Sequence, residues 1–299
     1  MADSERPDLT PVVPANPPSE QHTAAPPSEQ YERRPAVRLA QDGPLDRLLS
    51  AAAWAAGASW LAPMMGLQML GHRTLGPDRI QWLERLYTRG QIALTGSRWR
   101  AVVDPAIDPH QPYLFFQNHI NHLDHCVMYR ATPHFKQGVE LEAHFKFPIY
   151  GAFMRSRGTI PVRPGGLGEL RGLKDLMHAE VARGHSLLVF PEGTRTLTGH
   201  LGELQSGVFW IAQQIGVPIV PVTVTGMYRV MRKGSLLIRP GHDVTVYCDA
   251  PIQPRGHGRR ELQRLMNEVR TVMTQRLDAY WQSSSPQRFT RRASSASSA

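Results

Sequence analysis

Two residues of this chain have types and a spacing that could carry a reaction, His119 and Asp124. They lie in a polar segment that directly follows residues 113–116, an apolar stretch typical of a buried strand. On one continuous helix, side chains at these two positions would point about 140° apart, so a working pair requires a turn between them. Asn121 is a preferred N-cap residue. It predicts His119 on a loop and Asp124 in the first turn of a helix over residues 123–131.

A histidine held in one tautomer by a carboxylate can remove a proton from a hydroxyl group. The sequence contains no Gly-x-Ser-x-Gly motif, so the nucleophile would be a hydroxyl group of the substrate. In this hypothesis His119 takes the proton while the hydroxyl attacks an activated acyl group, and Asp124 stabilises the imidazolium. The structural alternative is that Asp124 caps its helix through the N–H groups of the first turn and His119 is an ordinary loop residue.

Polar residues suited to an anionic ligand follow two other predicted strands. Gly193 allows the backbone to approach a ligand closely, Thr194 adds a hydroxyl group, and Arg195 offers a guanidinium that matches phosphate oxygens. Glu192 is expected to orient Arg195 or to accept a hydrogen bond from a ligand hydroxyl. Arg163 ends the other strand, and for both arginines the alternative is a solvated surface charge.

Strand and helix patterns alternate from residue 99 onward, which is typical of an α/β fold with a mixed, largely parallel sheet flanked by helices. In such sheets ligands bind at the carboxyl ends of the strands, where the polar segments lie. The predicted strands cover residues 101–103, 113–116, 158–162, 187–190, 218–224 and 244–248, and helical patterns include residues 170–182 and 208–214.

The chain divides into four predicted segments. Residues 1–44 hold nine of the 25 prolines and are predicted to form a disordered arm, because they cannot bury enough apolar surface to offset their chain entropy. Residues 45–75 are predicted to be a membrane-associated helical segment, and residues 76–282 the catalytic domain. The Ser-rich residues 283–299 are predicted to be a second disordered tail.

An apolar segment without formal charge runs over residues 48–71. It is long enough to cross the roughly 30 Å core of a bilayer as one helix, but Pro63 is expected to kink or divide that helix. Three alternatives stay open: a helix or hairpin lying in one leaflet, a true span, or a buried helix of a soluble protein. A long polar arm precedes the segment, which argues against a signal peptide. We expect a membrane-associated protein at the cytoplasmic face.

The chain is basic, with 34 Lys and Arg against 25 Asp and Glu. This balance favours an anionic partner such as a phosphate ligand or an acidic membrane surface. A nucleic-acid partner is not expected, because aromatic residues make up 8% of the chain and the sequence shows no known reader motif. The two cysteines, Cys126 and Cys248, favour a reducing compartment, and Cys126 is predicted to be a small buried hydrophobic residue.

Four motifs occur in a characteristic order: His119-x4-Asp124, Arg163, residues 191–195 and residues 217–222. In this order they resemble the glycerolipid acyltransferases related to bacterial 1-acylglycerol-3-phosphate acyltransferase. The resemblance covers roughly residues 75–250. It implies that His119 is the general base and Asp124 its partner. It also implies that the phosphate and glycerol part of the acceptor is bound by Arg163, Glu192, Gly193, Thr194 and Arg195.

The same resemblance implies a membrane-associated O-acyltransferase of phospholipid biosynthesis or remodelling. Acyl-CoA or acyl carrier protein would be the donor, a lysophospholipid the acceptor, and no cofactor or metal ion is expected. A lysine that the family often carries near Leu141 or Glu142 is missing here, and a basic run after the third motif is replaced by Gln205 and Ser206. The headgroup of the acceptor therefore stays open, with zwitterionic lysophospholipids, lyso-aminolipids and glycolipids as alternatives.

Two other functions compete with this hypothesis. His122, Asp124 and His125 nearly match the metal-binding run of metallo-β-lactamase-like hydrolases, although the first histidine of that run would fall on Ile120. A two-metal site also needs downstream ligands, and this alternative leaves residues 191–195 unexplained. The second competitor is a lipid-binding membrane protein without catalytic activity.

Overall fold

The structure, a computed structural model, describes residues 34–37, 39 and 42–284. The predicted disordered tail over residues 283–299 lies outside the described residues apart from its first two, which end the last helix. Most of the predicted disordered arm over residues 1–44 lies outside them as well.

The described end of the arm contacts the domain. The backbone N–H of Val37 donates to the carbonyl oxygen of Thr198 at 2.9 Å. The carboxylate of Asp42 accepts two hydrogen bonds from the guanidinium of Arg239, at 2.5 and 2.6 Å. These contacts make the residues directly before the first helix part of the folded unit.

Helices and strands alternate along the domain. The strands are β1 (Arg98–Val103), β2 (Leu114–Gln117), β3 (Lys136–Leu141), β4 (Ile160–Val162), β5 (Ser186–Val189), β6 (Ile219–Thr225) and β7 (Asp243–Cys248). The helices are α1 (Pro44–Thr74), α2 (Gln81–Leu94), α3 (Asp124–Ala131), α4 (Pro148–Arg157), α5 (Leu167–Ala182), α6 (Ser206–Ile215), α7 (Met227–Val230) and α8 (Arg259–Ser284). Two short 3-10 helices, Asp78–Ile80 and Glu142–Lys146, precede α2 and α4.

One seven-stranded sheet runs through the domain in the order β1-β7-β6-β2-β5-β3-β4. Neighbouring strands are parallel except β6 and β7, which are antiparallel. This arrangement confirms the predicted mixed, largely parallel sheet flanked by helices. Because β2 and β5 are parallel neighbours, their carboxyl ends meet at the same edge of the sheet.

The core lies on both faces of the sheet, and β2 is buried along its whole length. Alternate residues of a strand point to opposite faces, so Phe115 packs with Cys126 on one side while Leu114 and Phe116 pack with Phe209 on the other. Cys126 is fully buried, as predicted, and burial raises the pKa of its thiol. The residues that α8 adds to the second cluster recur every four positions: Leu265, Val269, Met273 and Leu277.

The sequence patterns predict most strands within a few residues but do not predict β3 or α8. β3 begins with Lys136 and Gln137, polar residues that are nearly fully buried. The ammonium of Lys136 donates to the carbonyl oxygens of Thr132 and His134, at 3.2 and 3.1 Å, and burial lowers its pKa to about 7. Because these buried positions are polar, the sequence lacks the apolar pattern of a strand and predicts a loop instead.

The apolar segment forms one continuous helix, so the expected division at Pro63 does not occur. Met64, directly after the proline, packs against Ile80 and Leu83, and these contacts hold the second half of α1 on α2 and on the 3-10 helix before it. Among the described residues, α1 is long and apolar enough to cross a membrane. Only 17% of its most apolar 18-residue window is buried. Most of that window is therefore exposed, unlike the buried helix that was one alternative.

Candidate active site

His119 and Asp124 form a hydrogen-bonded pair at the carboxyl end of β2. Nδ1 of His119 lies 2.7 Å from Oδ2 of Asp124. As predicted, the histidine is on the loop after the strand and the aspartate opens α3. Asn118, the first residue of the loop, bonds through its amide to the backbone N–H and C=O of Val224, so the loop starts from a fixed position on β6.

The turn between the two residues differs from the predicted one. Leu123, not Asn121, is the N-cap residue of α3. The side-chain oxygen of Asn121 accepts a hydrogen bond from the backbone N–H of Leu123 at 2.8 Å, which closes an Asx turn before the helix. Its amide nitrogen donates to the carbonyl oxygens of Met227 and Met231, so this turn is tied to α7.

The carboxylate of Asp124 is 1% exposed and is held from the loop side. Oδ2 accepts hydrogen bonds from the backbone N–H groups of Ile120, at 2.6 Å, and Asn121, at 3.0 Å, in addition to the His119 ring. These two N–H groups belong to the loop before α3. Asp124 therefore does not cap the first turn of its own helix, which was the structural alternative. Because an ionised carboxylate only accepts, Nδ1 of His119 carries the proton and Nε2 has the free lone pair.

The imidazole ring of His119 is positioned for proton transfer. Its side chain is 24% exposed, and it stacks on Phe190 with 4.0 Å between ring centroids. Among the described residues no group hydrogen-bonds to its Nε2 atom. A ring that is held on one side by a buried carboxylate and is open on the other can act as a general base.

Glu192 holds the backbone of His119. Its Oε1 atom accepts a hydrogen bond from the N–H of His119 and its Oε2 atom one from the N–H of Gly202, both at 2.7 Å. Burial raises the pKa of this carboxyl group to about 7. The expected contact with Arg195 is not found among the described residues, because both oxygens face backbone. The carbonyl of His119 also accepts from the N–H of Thr196, so the two loops are joined on both sides.

Arg195 contacts the histidine loop through a different residue. Its Nη1 atom donates to Nε2 of His122 at 2.8 Å. Burial, and secondly the nearby guanidinium, lower the pKa of His122, which favours the neutral ring that accepts this bond. Because His122 lies between His119 and Asp124 in the chain, this bond places Arg195 in the same site as that pair.

Gly193, two residues before Arg195, has φ +65°, a conformation that residues with a side chain rarely adopt.

Lys233 is a residue of this site that no sequence motif indicates. Its Nζ atom donates to Oγ1 of Thr194 at 2.7 Å. It follows α7 and lies in no recognisable motif, so no sequence signal connects it to Thr194. The fold brings the two together because Asn121 ties the end of α7 to the histidine loop.

Arg163 does not join this cluster. Its guanidinium makes a bidentate ion pair with Glu142, at 2.7 and 2.5 Å, and its side chain is 69% exposed. This pairing, through its hydrogen bonds first, raises the pKa of Arg163 and lowers that of Glu142. Among the described residues no hydrogen bond or ion pair links Arg163 to His119 or Arg195, so its predicted role at the headgroup rests on the sequence alone.

The alternative metal site is not favoured by this geometry. His122 accepts from Arg195, Asp124 is bonded to His119, and the ring of His125 lies against Cys126 with 3.3 Å between Nε2 and Sγ. Burial lowers the pKa of His125 to about 4. In the described part of the chain, no group of three His, Cys, Asp or Glu side chains is arranged to hold a metal ion.

Comparison with known proteins finds a family whose sequence pattern is similar over the residues of this site. The Acyltransferase family model matches residues 100–225, which include both loops of the site. The chloroplastic 1-acyl-sn-glycerol-3-phosphate acyltransferase of Arabidopsis thaliana is 32% identical over 168 residues, which cover 56% of this chain and 45% of the relative. A probable 1-acyl-sn-glycerol-3-phosphate acyltransferase of Mycoplasma pneumoniae is 26% identical and is covered over 72% of its length, with 60% of this chain.

The fold also matches a solved structure. The crystal structure of the 1-acyl-sn-glycerophosphate acyltransferase PlsC from Thermotoga maritima superposes with a TM-score of 0.66 at 19% identity, covering 79% of this chain and 95% of that one. At this identity the match shows a shared fold. The chain spans less than half the length of the plant relatives, 45% of the Arabidopsis protein and 41% of a chloroplastic relative from Brassica napus that is 34% identical over 47% of this chain.

Proposed function

We propose that this chain, whose residues 100–225 match the Acyltransferase family model, moves a fatty acyl group to the free hydroxyl of a 1-acylglycerol-3-phosphate-like lysophospholipid. Such a reaction belongs to phospholipid biosynthesis or remodelling. The observation that carries the proposal is the 2.7 Å hydrogen bond between Nδ1 of His119 and a buried oxygen of Asp124, which leaves Nε2 free. The relatives' names, which specify 1-acyl-sn-glycerol-3-phosphate acyltransferases, support the class of acceptor.

The proposed reaction is a direct transfer. Nε2 of His119 takes the proton of the acceptor hydroxyl while the oxygen attacks the carbonyl carbon of an acyl thioester, forming a C–O bond. Asp124 stabilises the resulting imidazolium. The tetrahedral intermediate then collapses, the C–S bond breaks, and the leaving thiolate takes the proton back from His119. Cys126 is not needed as an acyl carrier, because its thiol is fully buried and its raised pKa disfavours the thiolate.

The remaining components are part of the same proposal. Acyl-CoA or acyl carrier protein supplies the thioester. Arg195 binds the phosphate of the acceptor, and Gly193 lets the loop approach it closely. Helix α1 attaches the domain to the cytoplasmic face of a membrane, where a lysophospholipid is found. The length, apolar composition and exposure of α1 support this attachment.

Two substitutions test the base and its partner, with radiolabelled acyl-CoA assayed against a panel of lysolipids. His119→Ala removes the base, and Asp124→Asn keeps an oxygen for the backbone donors but removes the charge that stabilises the imidazolium. We expect kcat to fall on the order of 10²–10⁴-fold in each variant, with the fold retained.

His178→Ala is the matched control, because His178 lies exposed on α5, outside both loops. It should turn over like the wild type. Near wild-type turnover in His119→Ala would overturn the mechanism. A wild-type protein that binds lysolipids but transfers no acyl group would instead be a non-catalytic lipid-binding protein.

A further inference from the structure

We infer that Lys233 is a specificity-determining residue of this site, which binds the phosphate monoester of the acceptor together with Arg195. The inference rests on the proposed function, since it assigns part of the acceptor to these two side chains. It adds a binding residue that lies outside the four sequence motifs and beyond residues 100–225.

The fold fixes Lys233 next to the loop that carries Arg195. The ammonium of Lys233 donates to the hydroxyl of Thr194 at 2.7 Å, and Thr194 directly precedes Arg195. Two residues before Lys233, the carbonyl of Met231 accepts from the amide of Asn121 at 2.9 Å. The loop after α7 is therefore tied both to the histidine loop and to the arginine loop.

Lys233 and Arg195 are two cationic side chains of this site that form hydrogen bonds with uncharged groups. Among the described residues neither has a carboxylate within ion-pair distance. Lys233 contacts a hydroxyl, and Arg195 contacts the imidazole of His122. Two positive charges on adjoining loops therefore lack a counter-charge from the described protein.

Two neighbouring arginines are compensated by a carboxylate, in contrast. Arg239 makes a bidentate ion pair with Asp42, and Arg232 lies 3.6 Å from the same carboxylate. In the loop after α7, Arg232 therefore has a carboxylate nearby, whereas the adjacent Lys233 has none among the described residues. This difference points to an external anion as the partner of Lys233.

A phosphate monoester fits these two cations. It carries more than one negative charge at neutral pH and three acceptor oxygens, whereas a phosphodiester carries one charge and a neutral acylglycerol none. A guanidinium binds two oxygens in its plane, and an ammonium acts as a point charge that can reach a third. A second cation stabilises the additional negative charge of a monoester. Lys233 would therefore make the site prefer phosphate monoesters over phosphodiesters and neutral acylglycerols.

The coenzyme of an acyl-CoA donor also carries phosphate groups, so the experiment must separate donor from acceptor. Lys233→Met, Lys233→Arg and the control Lys174→Met are compared with the full-length wild type. Lys174 is a partly exposed residue of α5 beside Asp175, so its replacement removes the same charge elsewhere. For each protein, kcat and KM are measured with 1-acylglycerol-3-phosphate, a 1-acylglycerol phosphodiester and a monoacylglycerol as acceptors, and separately with acyl-CoA varied.

We expect Lys233→Met to raise the KM for the monoester about tenfold or more, the cost of one charge-assisted hydrogen bond, with kcat within about twofold. The KM for monoacylglycerol and for acyl-CoA should stay unchanged. Lys233→Arg should restore most of the lost affinity because it keeps the charge, and Lys174→Met should behave like the wild type.

Three results would overturn the inference: an unchanged KM for the monoester, an equal rise for all three acceptors, or a rise confined to acyl-CoA. A second measurement separates this inference from the proposed function, namely the binding of 1-acylglycerol-3-phosphate in mixed micelles without donor. If the wild type acylates none of the acceptors, the proposed function fails. In that case equal binding by wild type and Lys233→Met also overturns the role of Lys233, and tighter binding by the wild type supports it.

Discussion

The buried carboxylate of Glu192 links the histidine loop to the segment around Gly202. Two backbone N–H groups favour its charged form, but burial has the larger effect and raises its pKa from 4.5 to about 7. The folded state therefore holds this proton more tightly than the unfolded chain. Its contribution to stability is fully present below the unfolded pKa of about 4.5 and is lost as the pH rises through about 7.

Glu192→Gln removes this titration and tests it. The difference in free energy of unfolding between wild type and variant should decrease by up to about 3 kcal/mol as the pH rises from about 4.5 to about 7.5, and stay constant above that. Chemical denaturation at a series of pH values measures this difference. A difference that does not change with pH would show that the buried carboxyl group keeps its ordinary pKa.

The residues of the site differ in how far the sequence predicts them. His119 and Asp124 lie within one short segment, so residue type and spacing suffice to pair them. Glu192 is predicted to orient Arg195 or to contact a ligand hydroxyl, but its partners are the backbone N–H groups of His119 and Gly202, since a sequence does not show which way a buried carboxylate points. Lys233 is missed because its contact with Thr194 depends on how α7 packs.

At the scale of elements, α1 and α2 are held together by a close approach at Gly90. A Cβ atom at this position would lie 2.2 Å from Nε1 of Trp60, which donates to the carbonyl oxygen of Tyr87 at 3.0 Å. The helices can therefore pack at this distance only because position 90 has no side chain. By contrast, a Cβ at Gly66 on α1 would meet nothing within 4 Å.

Gly90→Ala and Gly66→Ala should consequently have opposite effects. The first forces Trp60 to move and should lower the free energy of unfolding by roughly 1–2 kcal/mol, the packing strain outweighing the gain in helix propensity. The second should raise it by about 0.5–1 kcal/mol through that propensity alone. Thermal unfolding of the two variants measures both changes. Equal changes would mean that α1 does not pack on α2 as described.

Some elements escape sequence reasoning for physical reasons. β3 begins with buried polar residues, so its sequence does not show the apolar pattern by which a strand is predicted. The proline in α1 is a local signal for a break, but the packing of Met64 on Ile80 and Leu83 overrides it. Local preferences of this size are easily outweighed by tertiary contacts.

At the scale of the molecule, the proposed membrane attachment relies on two features, the basic charge and the exposed apolar surface of α1, which would favour an anionic membrane. Formal net charge is +9, and Leu67 and Leu70 on α1 are 49% and 61% exposed. In general, the exposed apolar residues of a membrane-bound helix insert into the bilayer, and basic charge attracts anionic headgroups.

Leu67→Glu with Leu70→Glu should therefore lower the fraction of protein that sediments with anionic vesicles about tenfold or more, because charged side chains partition poorly into lipid. Leu176→Glu is the matched control, since Leu176 is 47% exposed on α5, and it should bind like the wild type. Binding of the wild type should weaken as salt is added. Undiminished binding of the double variant would exclude α1 as the attachment.

By itself the sequence determined the pairing of His119 with Asp124, the α/β class and the apolar segment. Each of these depends on residues close together in the chain or on a local hydrophobic pattern. Only the tertiary structure decided that Glu192 binds the backbone of His119 and that Lys233 reaches Thr194. These contacts join loops that are far apart in the chain, and their geometry depends on how β2, β5 and α7 pack, which no local pattern encodes.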